Sequence, residues 1–180
     1  MTSWRRFATP LLAAWVLGCG APHGTMQVLS PGSMELASAA VGSVTVALAP
    51  TLAESRRTAF VEYEGEAAVR QAIVDAFTQR SHWDPSSSQV LQVTVTKFRL
   101  RSTANAAING YYAGIDILEG EAELTMGAAA PGRYTFKVSG AEEGLFIYSS
   151  SARLRSLARQ LAAQLANYIV PGGKAPAPAS

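Results

Sequence analysis

The longest stretch of alternating apolar and polar residues runs from Val90 to Gly140 and divides into three parts. Residues 90–101 are rich in β-branched side chains and alternate with period two, the pattern of a half-buried strand. Residues 113–126 alternate again, and residues 133–139 do so a third time, with Tyr134, Phe136 and Val138 on one face. Asn109-Gly110 and Pro131-Gly132 stand in the connections, where turn-forming backbone chemistry is required. Three consecutive antiparallel strands are therefore predicted. Upstream, Val44, Val46 and Leu48 mark a short strand over residues 43–49, stopped by Pro50. A helical period then sets in: Val69, Ala72, Ile73, Ala76 and Phe77 form one stripe of a helix over residues 63–80. Glu62, Glu64 and Glu66 crowd its start, where the helix dipole favours negative charge, and Arg80 closes it. Residues 51–60, with Arg56-Arg57, read as a solvated turn. Ser149-Ser150-Ser151 offers an N-cap for a second helix over residues 152–170, whose stripe is Leu154, Leu157, Leu161, Leu165, Tyr168 and Ile169.

The order strand, helix, three strands, helix predicts an α+β fold. A helical crossover favours parallel pairing of the first two strands, giving a two-layer sandwich. About four strands in a mixed sheet would carry both helices on one face.

Both long strands change phase. In the first, Leu91, Val93 and Val95 are apolar, and beyond Lys97 the apolar positions become Phe98 and Leu100. In the second, Ile115 and Ile117 give way to Leu118, Gly120, Ala122 and Leu124, with Glu119, Glu121 and Glu123 between them. Apolar residues meet in a hairpin when opposed residue numbers sum to an odd value near 213 to 215. A sum of 213 pairs Val95 with Leu118, Phe98 with Ile115 and Lys97 with Asp116. Two outcomes remain open. Bulges or coiling can return the distal residues to the core. Otherwise the hairpin tip shows an apolar face of Phe98, Leu100 and Ile115, backed by Lys97, Arg99 and Arg101, with Tyr111 and Tyr112 in its loop. Such a surface suits an acylated, phosphorylated lipid or the mouth of a barrel.

The N-terminus changes the picture most. Arg5-Arg6 precedes a mostly apolar stretch that is too short to span a bilayer, the layout of a secretory signal over residues 1–18. It ends Val16-Leu17-Gly18-Cys19, and Cys19 is the only cysteine. A single cysteine excludes an internal disulfide and a cysteine-based metal cluster. Residues 19–42, with Pro22, Gly24, Pro31 and Gly32, read as a tether ahead of a domain over residues 43–170; the Pro/Ala tail 171–180 reads as disordered. Without residues 1–18 the 15 Lys+Arg fall to 13, level with the 13 Asp+Glu, so nucleic acid is not an expected partner. His82 and Asp84 beside Ser86-Ser87-Ser88 supply hydrolase residue types, but no Gly-x-Ser-x-Gly or phosphate loop accompanies them. Neither an enzyme nor a cofactor site is expected. Arg153, Arg155 and Arg159 stand at the start of the last helix and are expected to meet sheet glutamates or to form a basic patch.

Val16-Leu17-Gly18-Cys19 resembles the lipobox of bacterial lipoproteins, which implies acylation of Cys19, and Gly20 after it implies sorting to the outer membrane. With the strand order and the long middle hairpin, the chain resembles the lipopolysaccharide-assembly lipoprotein and related small Gram-negative lipoproteins. The resemblance implies a non-enzymatic binding or assembly module on the periplasmic face of the outer membrane. Its implied partners are the membrane itself, an outer-membrane barrel or an amphiphilic lipid.

Overall fold

The computed structural model describes residues 23–33, 38–101, 115–140 and 149–170. Its elements in chain order are strands β1 (His23–Pro31) and β2 (Val41–Leu48), then helices α1 (Glu54–Glu62) and α2 (Gly65–Gln79). Strands β3 (Gln89–Arg99), β4 (Asp116–Thr125) and β5 (Gly132–Gly140) follow, and helix α3 (Ser150–Ile169) ends the series. The architecture is α+β, with one mixed sheet in the order β1-β5-β4-β3-β2. Only β2 and β3 run parallel; the other neighbours are antiparallel. Among the described residues there are five strands and three helices where the sequence pattern predicts four and two.

The additional strand is β1. Residues expected to be a tether pair with β5 from His23↔Ser139 to Pro31↔Gly132. Small and turn-prone residues hid this strand, because as a border strand it buries only part of one face; Met26 packs against the core while Thr25 and Gln27 stay exposed. The additional helix is α1, expected as a solvated turn. It buries only Phe60, so no apolar stripe marks it in the sequence. The chain turns from α1 into α2 at Glu64, which adopts left-handed φ 56°. Gly65 then lies under the ring of Phe60, where a Cβ would come within 2.6 Å of ring carbons.

One continuous core joins Phe60, the α2 stripe and the α3 leucines to Leu91, Val93, Val95, Leu118, Ala122, Phe136 and Val138 on one face of the sheet. The opposite face carries exposed or half-buried polar residues, among them Gln92, Thr94, Lys97, Glu119, Glu121, Arg133 and Lys137. The helices thus form one layer and the sheet the other. Ser149 caps α3, its hydroxyl accepting from the Ala152 N–H at 3.2 Å.

The phase change in β3 is a bulge. Pairs run regularly from Val90↔Thr125 to Val95↔Gly120, then resume at Lys97↔Glu119, Phe98↔Leu118 and Arg99↔Ile117. Thr96 is the extra residue, and it shifts every later side chain by one face. The expected pairs of Val95 with Leu118, Phe98 with Ile115 and Lys97 with Asp116 are therefore not formed. Gly120 sits opposite the bulge because a Cβ there would fall 2.1 Å from the Thr94 carbonyl oxygen and 2.7 Å from the Phe136 ring.

Candidate functional site

The sequence-predicted tip residues separate into three environments. Phe98 is 2% exposed and packs edge-on against Phe60, ring centroids 5.1 Å apart and planes at 82°. Leu100 packs against the same core. Both belong to the interior, so the expected apolar tip patch is not formed by them: the bulge has returned them. Lys97 and Arg99 remain on the outer face, and Ile115 is 38% exposed beside them, its carbonyl accepting from an Arg99 guanidinium N–H at 3.3 Å. Tyr111 and Tyr112 lie outside the described residues, as does Cys19.

Arg101 is the largest correction. Expected as one of three surface cations, it is buried within an ionic cluster around Asp116. The Arg101 backbone N–H donates to Asp116 Oδ1 at 2.7 Å, and its Nε lies 3.6 Å from the same oxygen. From α3, Arg153 Nη1 donates to both Asp116 oxygens at 3.0 and 3.2 Å, and Nη2 to the Arg101 carbonyl at 2.7 Å. Arg153 was expected to meet a sheet glutamate or solvent; it meets a buried aspartate, while Arg155 and Arg159 stay exposed. The sequence signal for this cluster is an aspartate set between Ile115 and Ile117, a charge inside an apolar run. The adjoining cavity is about 10 Å³, lined by Asp116, Arg153, Ser156 and Gln160, enough for one water at most. The cluster ties α3 to the start of β4.

The outer face carries a second ionic arrangement. Glu119 lies 3.4 Å from Lys97 Nζ and 3.1 Å from Lys137 Nζ, so it joins three adjacent strands. Glu123 and Arg133 form a further cross-strand pair at 3.5 Å. Partial burial pushes the Glu119 carboxyl up, but hydrogen bonds and charge from Lys137 and Lys97 outweigh it and hold the group below the ordinary glutamate range.

His82 and Asp84 are not brought together as acid and base. The Asp84 carboxylate accepts from the hydroxyl and backbone N–H of Ser86 at 2.7 and 2.9 Å, and these bonds lower its pKa. His82 is buried against Phe77, its ring centroid 6.2 Å away. Burial pulls the imidazole pKa down, against an opposing hydrogen bond to the Ala39 backbone. Among the described residues, no group of three His, Cys, Asp or Glu side chains could hold a metal ion.

What the fold does assemble is one end of the sheet. The register places His23, Ser139, Ile117 and Arg99 in a single row across β1, β5, β4 and β3. At about 4.8 Å per strand, Arg99 lies roughly 14 Å from the start of β1. Lys97, Lys137, Arg99 and Ile115 thus share this end of the outer face with the half-buried Glu119 that pairs with both lysines. Such a surface can bind anions or an anionic interface.

The chain matches no protein-family model and no curated protein. Among solved structures it is similar to the PelC dodecamer from Paraburkholderia phytofirmans in two crystal forms. A point variant has 14% identity and TM-score 0.44, covering 83% of this chain and 99% of that one. The second form has 16% identity and TM-score 0.46, covering 78% and 96%. An uncharacterised protein has 16% identity and TM-score 0.43, covering 73% and 92%. Similarity of this order assigns neither a function nor an assembly.

Proposed function

We propose that the protein is a non-enzymatic lipoprotein of the outer membrane, anchored through Cys19, that acts as a periplasmic binding or assembly module. The observation that carries this reading is the spacing between the lipobox-like cysteine and the first strand. Only Gly20, Ala21 and Pro22 separate Cys19 from His23. Four residue steps reach at most roughly 14 Å when fully extended. An acylated Cys19 would therefore hold the His23 end of the sheet against the bilayer instead of letting the domain stand off. The row from His23 to Arg99 would face the lipid, with Lys97, Arg99 and Lys137 toward anionic headgroups and Ile115 among them. Anionic surfaces attract such side chains by about 1 kcal/mol each. The partner this geometry fits is an anionic amphiphile or the lipid-embedded rim of a barrel protein.

Metabolic labelling with an acyl probe, followed by membrane fractionation, tests the reading. The full chain should carry the label and sediment with membranes, and Cys19→Ser should lose the label and appear in the soluble fraction. Retention of Cys19→Ser on carbonate-washed membranes would overturn the anchor. Recovery of a barrel protein or lipid from detergent-solubilised envelopes, lost with Lys97→Ser/Arg99→Ser, would identify the partner of this surface.

A further inference from the structure

Among the described residues the sheet has two borders, β1 and β2. β1 follows Pro22, ends at Pro31 and is irregular between Val28 and Ser30. Prolines and bulges are the devices that stop a border strand from pairing onward. The β2 border carries such devices only at its ends, where the register with β3 shifts between Val41 and Ser43 and Pro50 follows the strand. From Ser43 to Leu48 it contains no proline and no charged residue, and its pairing with β3 is regular.

Among the described residues, the first residue of β2 has its border groups hydrogen-bonded. The Val41 N–H donates to the His82 carbonyl at 2.9 Å and the Val41 carbonyl accepts from the Asp84 N–H at 3.0 Å. Further along, the Ala49 N–H donates to the Val95 carbonyl, so Ala47 and Ala49 turn their backbone groups toward β3. By alternation, Val44, Val46 and Leu48 turn theirs to the border. Among the described residues no strand and no side chain bonds to those groups. Beside them opens a groove of about 620 Å³, its floor formed by Val46, Leu48 and Phe60 and its rim by Val61, which is 70% exposed, together with the charged Arg57, Glu64, Glu66 and Arg70.

We propose that β2 pairs antiparallel with β2 of a second copy of this chain, about a twofold axis at Val46. The strand matches itself in that register. Val44 meets Leu48 on the core side, Thr45 meets Ala47 on the outer side, and Val46 meets its own copy. Every pair in the ladder is uncharged, so no like charges face each other between the two strands. The outward N–H and C=O groups of Val44, Val46 and Leu48 all find partners. The core-side valines of the copy enter the groove beside Phe60 and Val61. The contact is isologous and closes on itself, as a twofold interface must, and it joins two five-stranded sheets into one. A free extended peptide would satisfy the same backbone groups, but an edge without charge from Ser43 to Leu48 lacks the feature that keeps copies of one chain apart, which favours the second copy.

The test is the protein mass of the full chain, purified in mild detergent and measured by light scattering with detergent subtracted. At concentrations up to about 100 µM, which saturate an interface of micromolar Kd, the chain should be a dimer. Thr45→Lys with Ala47→Lys sets like charges against each other at two exposed positions, so the mass should halve while the melting temperature stays within a few degrees. Thr45→Glu with Ala47→Lys sets the introduced acid against the introduced base of the other copy, so the dimer should return. A wild-type chain that stays monomeric at the highest concentration overturns the proposal and leaves the border to a foreign strand. A double-lysine chain that stays dimeric overturns it too, and so does an acid–base pair that stays monomeric, because the axis then lies elsewhere.

Discussion

Two charged groups that look alike in the sequence do different work in the fold. Lys97 and Arg99 are exposed on the outer face, and Arg101 is enclosed with Asp116 and Arg153. Removing one partner of a buried pair strands the other, at a cost of about 3–5 kcal/mol, whereas exposed ions are worth at most about 1 kcal/mol. Lys97→Ser and Arg99→Ser should therefore leave the denaturant midpoint nearly unchanged, and Arg153→Ala or Asp116→Asn should lower it sharply. His82 and Glu119 each make stability depend on pH. The folded His82 pKa lies below its unfolded value, so its contribution to stability is present above pH 6.5 and is lost as pH falls through the folded pKa. Urea unfolding at pH 7 and pH 5 should show the wild type weakening more than His82→Gln. Glu119 has the same sign at lower pH: its contribution is present above the unfolded value of 4.5 and is lost as pH falls through the depressed folded pKa. Lys137→Met should raise the Glu119 titration midpoint in a carboxyl-carbon NMR titration.

At the scale of elements, the bulge at Thr96 accounts for the phase change in β3. It lets one strand bury Leu91, Val93 and Val95 near its start and Phe98 near its end, all on the helix side. Deleting Thr96 would remove only the extra residue and leave Val95, Lys97, Phe98 and Arg99 opposite Gly120, Glu119, Leu118 and Ile117 in an unbroken ladder, with Phe98 still facing the core. The cost should stay within about 0.5–3 kcal/mol, the range of ordinary single changes, and calorimetry should show it as a modest fall in melting temperature. The helix layer answers to a simpler rule. Leu161 is fully buried in the middle of α3, and Leu161→Ala should cost about 2–5 kcal/mol by the same measurement.

For the whole molecule, the decisive feature is that the N-terminal segment is structural. β1 covers the border of β5 and lies against α3, where a Cβ on Gly24 would collide with the Gln164 side chain. A chain lacking residues 20–31 should therefore unfold at lower denaturant and aggregate through the uncovered β5, whereas a tether could be removed without effect. Light scattering and urea unfolding of the truncated chain decide between the two. A membrane-bound chain would consequently carry its fold and its anchor in one piece, with little freedom between them.

Periodic burial was legible residue by residue. The alternation of residues 90–139 and the stripes Val69–Phe77 and Leu154–Ile169 specify β3, β4, β5, α2 and α3, because a face buried along its whole length leaves a period in the sequence. The parallel pairing of β2 with β3 followed from the helical crossover between them. β1 and α1 left no such period, since each buries too little of itself, and only the sheet border and the Phe60 ring reveal what they do. The phase changes were visible, but their meaning was not. A bulge and an exposed face give the same string of residues, and only the register decided for the bulge at Thr96. The same holds for the charges. Whether Arg101 belongs to a surface or to the interior depends on Asp116 and on Arg153, which stands 52 residues away, and long-range placement of that kind is a property of the folded chain alone.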